Sequence, residues 1–170
     1  MITFITGGVR SGKSSYAQQY AKDLTDSPVY VATARRWKND ASFEERIRRH
    51  QAERGEEWRS YEEEKYVHTL PLEGEVVVID CVTLWLTNFF LDHQENVELA
   101  LTEFKKEIDH LASIESHIII ISNEIGMGLH AETPMGRRFT DLQGWANQYV
   151  AGRAARAFFM VSGIPLSLKS

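Results

Sequence analysis

An apolar run, Ile2–Thr6, leads directly into Gly7-Gly8-Val9-Arg10-Ser11-Gly12-Lys13-Ser14, and an Ala/Gln/Tyr segment follows. The eight residues fit G-x-x-x-x-G-K-[ST], and nothing else in the chain narrows the choice of fold so far. Glycines at 7, 8 and 12 permit backbone angles that turn successive N–H groups toward one anion. A helix opening behind them adds the positive end of its dipole. In that setting Lys13 reaches the β and γ phosphates of a nucleotide, and the Ser14 hydroxyl ligates Mg²⁺. A strand, a phosphate loop and a helix in that order belong to an α/β sheet.

The remaining pattern agrees. Short apolar runs recur at Val29–Ala32, Val76–Asp80, Ile118–Ser122, Phe158–Ser162 and Pro165–Leu168. Their near-continuous Val/Ile/Phe character, rather than strict alternation, predicts strands covered on both faces. Helical spacing lies between them at Ser14–Leu24, Val97–Ile114 and Gly136–Ala155. The expectation is one α/β domain over residues 1–170, with a mainly parallel sheet flanked by helices. With 43% hydrophobic and 25% charged residues in 170, the chain carries enough apolar matter for one core. Disorder and collagen-like repeats are excluded. The net charge of -5 argues against a broad basic face, so no nucleic-acid partner is expected. Met1–Thr6 has no basic start of a signal peptide, and no apolar run nears the ~20 residues of a membrane span. With Cys81 as the single cysteine, the expectation is a cytoplasmic protein without membrane insertion.

One stretch departs from the rest. From Arg35 to Lys65 nine Lys/Arg and nine Asp/Glu cancel within 31 residues. The plain reading is a solvated helix laced with i,i+4 pairs such as Glu44–Arg48 and Glu45–Arg49. His50 sits within it, with Arg46 and Arg54 one turn away on either side, and arginines so placed favour a neutral imidazole and attract polyphosphate. From spacing alone an ordinary solvent-facing histidine is the stronger reading. The other histidines, at 68, 93, 110, 117 and 130, form none of the local zinc-ligand spacings.

A phosphate loop needs a second group for its metal, usually an acid at the end of another buried strand. Val76-Val77-Val78-Ile79-Asp80 supplies one. Asn123-Glu124-Ile125-Gly126-Met127-Gly128 repeats the layout after the next strand, at the edge where open α/β sheets bind ligands, and reads equally as a simple turn.

Taken together these segments resemble the bifunctional adenosylcobinamide kinase / adenosylcobinamide-phosphate guanylyltransferase family of cobalamin biosynthesis. The opening matches T-G-G-x-R-S-G-K-S. Further matches are Tyr30-Val31-Ala32-Thr33-Ala34, Arg46-Ile47 with His50, Trp58-Arg59 with Glu62-Glu63, and the segment Asp80-Cys81-Val82-Thr83-Leu84-Trp85-Leu86-Thr87-Asn88. Asn123–Gly128, Arg137-Arg138-Phe139 with Asn147-Gln148, and Val161–Pro165 complete it. Two places differ. Leu129–Thr133 stands where many members have I-V-P-E-N, and Arg35–Lys38 is more basic than usual.

The resemblance implies a single P-loop NTPase-type domain with a RecA-like sheet. It implies transfer of a γ-phosphoryl from ATP or GTP to adenosylcobinamide, then transfer of GMP from GTP through a covalent histidine to give adenosylcobinamide-GDP. His50 becomes the nucleophile, with Lys13 as the second catalytic residue. Nucleotide contacts fall on Gly7, Gly8, Val9, Arg10, Ser11, Gly12, Lys13, Ser14, Thr33, Ala34, Arg49, Glu62 and Asp80, and Mg²⁺ on Ser14 and Asp80. The implied partners are adenosylcobinamide, its phosphate, ATP and GTP, in a homotrimer. Two other readings remain: a monofunctional P-loop small-molecule kinase, and a GTP-binding regulatory switch.

Overall fold

The structure, a computed structural model, describes residues 1–35 and 54–170. Seven strands lie among them: β1 Ile2–Gly7, β2 Val29–Ala32, β3 Arg59–Glu62, β4 Val76–Asp80, β5 His117–Asn123, β6 Arg156–Val161 and β7 Ile164–Lys169. They form one sheet in the order β3-β2-β4-β5-β1-β6-β7. All pairs are parallel except β6 with β7. That last pair closes through Ser162-Gly163, both at positive φ, the tight hairpin turn whose twist suits its strands.

The described helices are α1 Lys13–Lys22, α2 Val82–Asp92, α3 Val97–Ser113 and α4 Pro134–Arg153, with a short 3₁₀ turn at Val67–Thr69. Successive strand residues serve opposite faces. Ile2, Phe4, Val77 and Ile79 belong to a core shared with α2, α3 and α4, whereas Ile5, Val78, Ile119 and Ile121 pack with Ala17 and Ala21 of α1. Burial on both faces is why these strands are apolar throughout rather than alternating. On the larger face Trp85 meets Phe104 edge-on at 5.2 Å between ring centres. Both side chains are fully buried, and each contributes about 1.5–3 kcal/mol or more through burial.

Two elements differ from the expected pattern. Arg59–Glu62, inside the stretch expected to be a charged helix, is the edge strand β3. Its side chains are mostly exposed, so backbone pairing to β2 rather than apolar patterning makes it a strand. Val82–Asp92 is a helix without a polar stripe, and six of its residues are buried, so it shows no amphipathic period. Trp85, Phe89 and Phe90 are core residues. The expected i,i+4 pairs at residues 44–49, together with Arg49 and His50, lie outside the described residues. Among those described, no helix is long and apolar enough to cross a membrane.

Parallel pairing places the C-terminal ends of β1, β2, β3, β4 and β5 along one edge. One strand, β5, separates β1 with its glycine loop from β4 with its terminal Asp80. The chain leaves β1 through α1 and re-enters at β2, beyond β4 and β5, so the direction of winding changes at this loop. Ligands of open α/β sheets bind at such a switch point.

Candidate active site

The loop after β1 is held from outside by the last hairpin. Gly12 has φ 93° and opens α1 as its N-terminal cap residue. A Cβ on Gly12 would lie 3.0 Å from the Cα of Gly163, so both the angle and the close approach require glycine. The Gly163 N–H donates to the Ser11 carbonyl at 2.9 Å. The Val161–Pro165 segment noted in the sequence therefore has a physical task, buttressing the phosphate loop.

That loop keeps its polar groups in reserve. No side chain caps α1, whereas Asn96 caps α3 and Thr133 caps α4. Uncapped first-turn N–H groups and the helix dipole favour an anion at this point. The Ser11 hydroxyl is buried with no hydrogen-bond partner. Lys13 is buried too, its ammonium folded onto the Gly8 carbonyl at 2.5 Å. Val9 and Arg10 stand exposed at the tip of the loop.

Asp80 closes the other side. The Ser14 hydroxyl donates to Asp80 Oδ2 at 3.1 Å, and the Tyr30 hydroxyl donates to the same oxygen at 2.7 Å. Two hard oxygens, a hydroxyl and a carboxylate, thus meet beside the phosphate loop, a donor set suited to Mg²⁺. Tyr30 is itself wedged between the Arg54 guanidinium, 3.8 Å above its ring centre, and the edge of Trp58. Burial first, and the neighbouring Asp80 second, push the Tyr30 pKa well above its ordinary value of 10.0, so it stays a donor.

Thr33 fixes the strand end beneath. Its hydroxyl donates to the Cys81 carbonyl at 2.9 Å and accepts from the Cys81 N–H at 3.0 Å, while its own N–H donates to the Asp80 carbonyl. With its side chain wholly buried, Thr33 acts on the site through the position of Asp80. Ala34 follows, half-buried, and Glu62 ends β3 at an exposed position on the same edge. The Asn88 amide ties the two connections together by donating to the carbonyls of Thr33 and Glu64 at 2.7 and 2.8 Å. Burial, with Asp80 adjacent, pushes the Cys81 thiol up to about 12, so it is a packing residue and not a nucleophile.

The loop after β5 is anchored by residues whose part no local pattern reveals. Thr83 Oγ1 accepts from the Asn123 side-chain amide at 3.1 Å. From α4, Asn147 accepts from the Ser122 hydroxyl at 2.6 Å and donates to the Asn123 carbonyl at 3.2 Å. Gln143 donates to both Ser122 and Asn147. The Glu124 N–H in turn donates to the Gly7 carbonyl at 3.0 Å. The Asn123–Gly128 segment thus borders the phosphate loop and does more than reverse the chain.

A family model described as cobinamide kinase / cobinamide phosphate guanyltransferase (CobU) matches residues 3–168. The chain belongs to this family. The bifunctional adenosylcobalamin biosynthesis protein CobP of Pseudomonas aeruginosa is 36% identical over 174 residues, covering 99% of this chain and 98% of that protein. The bifunctional adenosylcobalamin biosynthesis protein CobU of Escherichia coli K12 is 30% identical over 184 residues, covering 99% and 100%. Among solved structures, the flagellar accessory protein FlaH of Methanocaldococcus jannaschii aligns with 99% of this chain and 77% of its own, at TM-score 0.48 and 14% identity. At that level the likeness adds nothing to the fold read from the strand order. Within the cobinamide kinase / guanyltransferase family, the edge carrying the phosphate loop, Asp80 and Asn123 is the candidate active site.

Proposed function

We propose that one nucleotide centre, built on the phosphate loop and Asp80, carries both activities of this bifunctional enzyme: the kinase step on adenosylcobinamide and the guanylyl transfer that follows. The observation that carries the reading is the hydrogen bond from Ser14, in the first turn of the uncapped helix α1, to Asp80 at the end of β4, beside a buried, unpartnered Ser11 hydroxyl. The N–H groups of residues 7–14 cradle the polyphosphate, and Lys13 exchanges its contact with Gly8 for the phosphate oxygens. Mg²⁺, when bound through Ser14 and Asp80, supplies charge neutralisation on those oxygens. Val9 and Arg10 border the entrance, Thr33, Ala34 and Glu62 shape the far wall, and Arg49 adds positive charge.

In the kinase step the aminopropanol hydroxyl attacks the γ-phosphorus of ATP or GTP. A new O–P bond forms, the β–γ bridge breaks, and the nucleoside diphosphate leaves as the hydroxyl proton passes to solvent. In the transfer step a neutral nitrogen of His50 attacks the α-phosphorus of GTP and pyrophosphate departs. An oxygen of adenosylcobinamide phosphate then attacks the same phosphorus, the P–N bond breaks, and its electron pair returns to the imidazole. Adenosylcobinamide-GDP is the product. Support for His50 comes from the Arg46-Ile47…His50 match to the family pattern.

The test uses α-labelled GTP with Mg²⁺. Acid-labile, base-stable label is expected on the chain and absent from His50→Ala; an unlabelled wild type overturns the histidine route. The homotrimer and a cytoplasmic location complete the proposal. Exposed Ile164, Leu166 and Leu168 on alternate positions of the outer strand β7 support association of copies. Sedimentation equilibrium giving a monomer mass would refute it.

A further inference from the structure

Away from the nucleotide edge, three side chains converge that no local motif connects. Glu107 lies on α3 and is only 3% exposed. His68, in the 3₁₀ turn, spends two donors on that carboxylate: its backbone N–H reaches Oε2 at 3.1 Å and its ring Nδ1 reaches Oε1 at 2.6 Å. His110, one turn further along α3, stacks on the His68 ring with centres 4.7 Å apart. One ligand atom from each of the three residues lies within 4.8 Å of the others. A solvent-open cavity of about 210 Å³ adjoins them, walled by Leu70, Pro71, Leu72 and Leu111.

We infer that His68, Glu107 and His110 form a binding site for a divalent transition-metal ion of the zinc class. Two imidazole nitrogens and one carboxylate oxygen are the donor set such ions take, and it is the wrong set for Mg²⁺. In a tetrahedral zinc site ligand atoms stand about 3.4 Å apart, given bonds of ~2.1 Å. The separations, none above 4.8 Å, need to close by at most about 1.4 Å, and the 2.6 Å between His68 Nδ1 and Glu107 Oε1 opens by about 0.8 Å as an ion enters between them. Glu107 is fixed by burial, while His68 and His110 are at exposed positions and have room to rotate. The ion takes the place of the proton that His68 Nδ1 shares with Glu107, and the ligating ring stays neutral with its one proton on Nε2. Water from the adjoining cavity fills the remaining coordination position. An ion pair between His68 and Glu107 accounts for two of the residues but leaves His110 without a part. The cluster draws on the 3₁₀ turn and on α3, whose chain re-enters the sheet at the start of β5, the edge opposite the phosphate loop. It is therefore a site separate from Ser14 and Asp80.

The experiment titrates the full chain, free of nucleotide, with Zn²⁺ by calorimetry and with Co²⁺ by visible absorption. One zinc-class site is expected in the wild type. His68→Ala and His110→Ala are each expected to weaken it at least about ten-fold, as loss of a ligand should. Asp80→Asn should leave the affinity unchanged. Glu107→Gln should weaken it as well, and His110→Ala, at an exposed position, decides the matter if the Gln variant fails to fold. Uptake that survives in the His68→Ala/His110→Ala double variant, uptake lost only in Asp80→Asn, or no uptake by the wild type overturns the site.

Discussion

The two edges of the sheet treat their polar groups in opposite ways. At the N-terminal edge the amino group of Met1 donates to the Ser116 carbonyl at 2.5 Å, and the Ser116 hydroxyl donates to the Leu72 carbonyl at 2.6 Å. There too the Thr3 hydroxyl pairs with His117 Nε2 at 2.9 Å. At the C-terminal edge the buried hydroxyls of Thr6 and Ser11 have no partner, and α1 opens uncapped. An unsatisfied buried polar group costs about 1–3 kcal/mol, so hydroxyls left unpaired in and beside the phosphate loop suit a place kept for a ligand. The first edge is tied up by its own hydrogen bonds, and the second is the candidate active site.

Substitutions should separate the edges. Lys13→Ala removes the buried cation of the phosphate loop and is expected to lower both activities on the order of 10³-fold with an unchanged melting curve. Loss of the kinase step alone, with guanylylation intact, would break the idea of one shared centre. Gly12→Ala strains a positive φ and presses on Gly163, so it should cost about 1–3 kcal/mol of stability and lower nucleotide affinity together. Thermal unfolding and nucleotide titration of one preparation measure both. Tyr30→Phe leaves Asp80 with Ser14 but without its phenolic donor. The Mg²⁺ needed for half-maximal rate should rise about ten-fold, the worth of a ~1.4 kcal/mol charged hydrogen bond, with little change in the saturated rate.

At the closed edge the effects should be smaller and confined to stability. Ser116→Ala removes one of two donors to the Leu72 carbonyl, leaving the Glu75 N–H at 3.2 Å, and should cost about 1 kcal/mol or less in denaturant unfolding with both activities unaltered. A matching loss of activity would mean that the edges are not independent. Burial first, then the positive amino terminus and Arg156, lower the His117 pKa from 6.5. Folded chains therefore release this proton more readily than unfolded ones, so stability is present above about pH 6.5 and declines as pH falls below it. His117→Gln should flatten that slope in urea titrations at pH 5 to 7.

Much of the fold was legible because burial on both faces leaves an unmistakable mark. Ile2–Thr6, Val29–Ala32, Val76–Asp80 and Ile118–Ser122 are strands within a residue or so of where their apolar runs begin and end. β3 was not legible, since Arg-Ser-Tyr-Glu is ordered by a neighbour's backbone rather than by its own side chains. α2 escaped for the reverse reason: buried nearly all round, it has no period to detect. In the site, Lys13, Ser14 and Asp80 could be named from local spacing. Tyr30, Asn88 and Asn147 stand in segments that match the family and Gln143 does not, but the contacts of all four span many positions of chain and no local spacing gives those partners. The value of Gly163 to the phosphate loop is likewise a matter of two segments 151 residues apart lying in contact.

The glycine loop, the β-branched runs and the family pattern follow from local order, because backbone permissiveness and two-sided burial are properties of neighbouring residues. Which edge is sealed and which is left open was decided only in three dimensions. So was the meeting of His68, Glu107 and His110. Hydrogen bonds and ligand sets are short-range in space yet unconstrained in sequence, and packing of the sheet and its helices brings their partners within reach.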